Sequence, residues 1–68
     1  MDFFEKAKIR LERWLEHNDH HMEEYGSFAR ELEEAGKKQS AQDVREMMEL
    51  VTKSNDCLRR ALEALEEA

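Results

Sequence analysis

Between Trp14 and Tyr25 the chain reads WLEHNDHHMEEY, and all three of its histidines fall in this stretch. His17 and His21 are four residues apart and Glu24 is three further on, so on an α-helix the three share one edge. Imidazole nitrogens and a carboxylate at that spacing suit a divalent transition metal, with the remaining positions filled by another helix, a symmetry mate or water. His20 with Glu24 makes a second four-residue pair, but His20 points more toward solvent. A second set, Asn55, Asp56 and Cys57, offers an amide, a carboxylate and a thiol from further along the chain.

These residues interrupt an otherwise oily pattern. From Phe4 to Ala35 an alternation of three and four runs through Leu11, Trp14, Asn18, His21, Tyr25, Phe28 and Leu32, so Asn18 and His21 fall on the apolar line. A second run passes through Val44, Met48, Val51, Asn55, Leu58, Leu62 and Leu65, with Ser54 on the inward side of its polar break. A buried amide or imidazole costs several kcal/mol unless it finds partners. Asn18, His21, Ser54 and Asn55 are therefore expected to form one buried polar layer, which is either a device that fixes helix register or a binding site. For His21 both readings stand: an imidazole satisfied by Asn55 or Asn18, or a metal ligand.

The elements that must position this layer are helical. The chain has no proline and only two glycines, and Glu, Leu, Ala, Lys and Arg dominate it. Asp2 with Glu5 resembles a capping box, Gly36 after Ala35 suits a helix end, and Ser40 with Asp43 is a weaker start signal. The expectation is one all-α domain: a helix over 2–35, a turn over 36–39 and an antiparallel helix over 40–67. Gly26 is the one position that offers a division of helix one, but the heptad phase passes through it without a stutter.

Folding the hairpin about residue 38 sets Leu32 against Val44, Phe28 against Met48, Tyr25 against Val51, His21 against Asn55 and Trp14 against Leu62. Met1, Phe3, Phe4 and Ala7 then overhang with no cover from their own chain. Leu15, Met22 and Ala29 widen the apolar face of helix one, and Met47, Ala61 and Ala68 widen that of helix two, beyond what a two-helix seam requires. A single core in so short a chain seldom supplies more than about 3 to 5 kcal/mol. A two-fold homodimer forming a four-helix bundle is the economical supplement.

Composition excludes several classes. A net charge of -6, with 41% charged residues of both signs, disfavours nucleic acid or an anionic membrane as partner. No stretch approaches the roughly 18 apolar residues of a membrane span, and Asp2 and Glu5 disfavour a signal peptide, so no membrane insertion is expected. Cys57 is the lone cysteine, which fits a reducing, cytoplasmic setting. It reads as a small half-buried hydrophobe, with metal ligation or an intersubunit disulfide as alternatives. An enzyme is not expected: no histidine has an acidic residue three positions before it, as di-iron bundles require, and no phosphate-cradling glycine loop is present.

At Trp14, His17, Asn18 and His21 the spelling W-x-x-H-N-x-x-H resembles a small, uncharacterised family of helical-hairpin domains. The likeness continues through Glu23, Glu24, Tyr25, Phe28, Ala29 and Ala35-Gly36, and resumes at Asn55, Leu58, Ala61, Leu62 and Leu65. It implies His17, Asn18, His21 and Asn55 as signature polar residues. It also implies an association with nickel, cobalt or zinc handling, and with it a metal-transport protein as a possible partner. Where family members often carry histidine before the tryptophan, this chain has Arg13, and it has no histidine-rich tail.

Overall fold

A computed structural model describes residues 2–67. Helix α1 spans Phe3–Glu34, helix α2 spans Lys38–Glu66, and the two pack against each other as a hairpin. The sequence expectations placed on Met1 and Ala68 lie outside the described residues.

Helix α1 starts where the side chain of Asp2 accepts a hydrogen bond from the backbone N–H of Glu5 at 2.9 Å, satisfying one of the donors left free at a helix start. It runs through Gly26 without a break. The Cβ that Gly26 lacks would lie 3.4 Å from the Met48 methyl, so this position lies directly against α2. After Glu34 the chain reverses through Gly36 at φ 80, a left-handed conformation that suits glycine, and the Lys37 N–H bonds back to the Leu32 carbonyl. Helix α2 begins at Lys38, two residues earlier than the sequence signals indicate. Ser40 and Asp43 form no capping box, because both already lie inside the helix, where Asp43 accepts from Gln39.

The earlier start of α2 moves the pivot of the hairpin and with it the register. Asn18, not His21, stands across from Asn55, nearly one helical turn from the expected pairing. Lys8 pairs with Glu66 and Arg45 with Glu33 at the two ends of the ladder. Phe3 lies more than a turn beyond Lys8 and is 83% exposed, so the expected overhang of the N-terminal aromatics is present for Phe3 and Phe4.

The face of α1 that meets α2 is also rotated from the expected one. The less exposed line is Leu11, Leu15, Asn18, Met22, Tyr25, Ala29 and Leu32, whereas Trp14 and Phe28 are 51% and 53% exposed. The two lines share every seventh residue and differ only in whether the residues between are Trp14, His21 and Phe28 or their C-terminal neighbours. Close approach of the helices near the turn decides the matter. Ala29 and Ala41 have no exposed surface at all, and a phenylalanine in place of Ala29 would force the helices apart. Among the described residues no large side chain is fully buried.

Candidate functional site

Midway along the hairpin the two polar breaks meet. Asn18 Nδ2 donates to Asn55 Oδ1 at 2.9 Å, and Asn55 Nδ2 donates to Asp19 Oδ1 at 3.4 Å. Asn55 is only 4% exposed, and among the described residues no buried side-chain nitrogen or oxygen lacks a partner. Asn18 and Asn55 thus form the centre of the polar layer, joined by Asp19 from the edge. Asp19 carries no apolar-period signal, and only its place one residue after Asn18 could have pointed to it. Ser54 is exposed and stands outside the layer, because the register that buries Asn55 turns its neighbour outward.

His21 departs from its expected place as well. Its imidazole does not reach Asn55 but lies along the surface of α1, where its side chain is 35% exposed. Three neighbours on its own helix fix the ring. Tyr25 stacks on it with centroids 5.8 Å apart, Glu24 Oε2 lies 3.5 Å from its Nδ1, and its Nε2 is 2.9 Å from the Nε2 of His17. The His17 and His21 rings meet edge to face, with centroids at 4.2 Å. His20 reaches Glu24 at 3.4 Å and otherwise faces solvent.

This geometry separates the roles of His17, His21 and Glu24. An imidazole presents its two nitrogens in divergent directions, so Glu24 on Nδ1 and His17 on Nε2 cannot address one ion through the same ring. Among the described residues no group of three or more His, Cys, Asp and Glu side chains is gathered to hold a metal ion. The two Nε2 atoms do converge. Their separation falls at the near end of the roughly 2.9–3.4 Å expected between two ligands that share an ion at about 2.0–2.1 Å. Glu24 sits where a carboxylate favours the proton on Nδ1 of His21 and so leaves Nε2 free to accept, in the manner of the outer partners of metal-bound histidines. Without an ion, the two Nε2 atoms share one hydrogen bond, whose donor is the ring that carries its proton there.

Cys57 is exposed, and its sulfur accepts from Arg60 at 3.1 Å; it lies on α2, across from the helix that carries the histidine pair. Among the described residues no helix is long and apolar enough to cross a membrane. A family model described as a Domain of unknown function (DUF8180) matches residues 7–65. No curated protein and no solved structure matches the chain. The family match agrees with the resemblance to a small uncharacterised family, while the histidine signature and the link to metal handling rest on the resemblance alone.

Proposed function

Since this chain belongs to the family of that domain of unknown function, whose description assigns no chemistry, its activity must be read from its side chains, and we propose a homodimeric, non-enzymatic hairpin that binds a divalent transition ion. His17 and His21 supply the ligands through Nε2, Glu24 orients His21 from behind, and the Asn18–Asn55 pair fixes the register that holds α1 against α2. Nickel and zinc are among the ions that imidazole suits, and cobalt is added by the family resemblance.

The observation that carries this reading is the 2.9 Å separation of the two imidazole Nε2 atoms, already close to the spacing of a shared ion's ligands. Small changes in two side-chain torsions, with the proton of the donating ring transferred from Nε2 to Nδ1, admit the ion, and the one hydrogen bond given up lies at an exposed site. Titration calorimetry with nickel, cobalt and zinc tests the reading. The wild type is expected to give saturable binding heats that disappear in a His17→Ala, His21→Ala double variant with unchanged helicity. Identical, negligible heats from both proteins would end it.

A second reading is favoured by the buried Asn18–Asn55 hydrogen bond. In it the hairpin is a structural or protein-interaction module, and the polar layer serves register and pairing alone. It predicts the same calorimetric result for wild type and double variant, so one experiment separates the two.

A further inference from the structure

A compact monomer of 8.1 kDa has an accessible surface of about 4,500 Å². This hairpin has 5508 Å². The excess of roughly 1,000 Å² is close to the ~800 Å² that each partner contributes to a standard interface. Its radius of gyration of 15.8 Å likewise exceeds the roughly 11 Å of a compact chain of this length.

Apart from Ile9 and the overhanging Phe3 and Phe4, the exposed large apolar side chains fall on one flank. Trp14 and Phe28 each precede a seam residue of α1, Met47 precedes a seam residue of α2, and in an antiparallel pair such positions look out on the same side. Leu50, 61% exposed, borders them. The opposite flank carries the Arg45–Glu33 ion pair and Asp19. His17 and His21 lie on the apolar flank, midway along it.

The charges along that flank indicate what covers it. One column of α1, at seven-residue steps, reads Arg10, His17, Glu24, Glu31, changing sign about His17. The matching column of α2 reads Asp43, Leu50, Cys57, Ala64, and the Asn18–Asn55 register sets Cys57 level with His17. A second copy laid on this flank with its turn at the opposite end brings Arg10 to the other copy's Glu24, Leu50 to Ala64 and Ala7 to Phe28. Opposite charges, and a large with a small residue, then meet at these positions on either side of the axis. Laid with both turns at one end, it would set Glu31 against Asp43.

We propose that two copies pack in this turns-opposed way about a two-fold axis through His17 and Cys57, so that His17 and His21 of both close one four-nitrogen site for a divalent transition ion. Two imidazoles fill half of a tetrahedral site, and the axis supplies the other half. The inference rests on the ion binding proposed above.

The lone thiol reports the axis independently of the ion. Diamide, which takes two electrons and two protons as two thiols join, and a short bismaleimide should each link Cys57 to Cys57 in most of the wild-type protein. Cobalt should saturate at one ion per two chains, with the intensified visible absorption of a four-coordinate site. His17→Ala should abolish the cobalt signal and leave the cross-link intact. Saturation at one ion per chain, a monomer by sedimentation, or a dimer that resists both cross-linkers overturns the shared site and leaves ion binding by the histidine pair standing. No cobalt bound by wild type, even with the cross-link formed, overturns the ion reading and the shared site with it.

Discussion

Asn55→Asp is expected to unfold most of the hairpin at neutral pH, although the new side chain has nearly the same shape. Asn55 is 4% exposed and donates through Nδ2 to Asp19 at 3.4 Å. Aspartate removes that donor and sets a carboxylate at an enclosed position beside the exposed carboxylate of Asp19. Leaving a buried charge uncompensated costs about 3–5 kcal/mol, comparable to the about 3 to 5 kcal/mol that a core of this size supplies. Burial and the Asp19 charge raise the folded-state pKa of the new carboxyl above its unfolded value. The deficit relative to wild type is therefore absent below the unfolded pKa of about 3.9 and grows as pH rises through the folded value. Helicity by circular dichroism, with wild type as the reference, should show the two proteins converging near pH 3 and far apart at pH 7. Equal melting at pH 7 would show that Asn55 is not enclosed by the hairpin.

The second large effect is expected at Ala29. With no exposed surface and α2 close by, it has no room for a longer side chain, so Ala29→Leu should destabilise the hairpin by about 1–3 kcal/mol and lower its urea midpoint accordingly. Phe28→Ala, one residue away, should leave that midpoint nearly unchanged at concentrations where the protein is monomeric, because Phe28 is 53% exposed. Under the proposed dimer its effect is expected on self-association instead. The reverse ranking, with Phe28→Ala the more damaging, would restore the rotated seam that periodicity alone indicated.

That contrast shows how far the sequence could be read. The absence of proline, the Asp2 start and Gly36 were enough to place two helices and a tight reversal, because each is a local signal. Heptad spacing could not choose between Trp14, His21 and Phe28 and the residues that follow them, since both sets complete the same alternation with Leu11, Asn18, Tyr25 and Leu32. The choice was made by volume: Ala29 and Ala41 permit close approach where phenylalanine does not. The register followed from the turn, and α2 starting at Lys38 moved Asn18 into the place assigned to His21.

The polar layer was legible as a set of residue types but not as a set of contacts. Asn55 is buried and bonded to Asn18, whereas Ser54 is exposed and His21 lies along its own helix. The spacing of His17 and His21 did place their nitrogens together, because four residues are one turn and the two rings need no help from α2 to meet. Glu24 shared their edge yet addressed the far nitrogen of His21, a distinction that lies in ring orientation and not in spacing.

The most direct measurement is a crystal structure of the protein grown with cobalt and recorded at the cobalt absorption edge. The account predicts an anomalous peak about 2.1 Å from Nε2 of both His17 and His21, on a two-fold axis relating two turns-opposed hairpins. Imidazole nitrogens still hydrogen-bonded to each other, with no peak beside them, would contradict it.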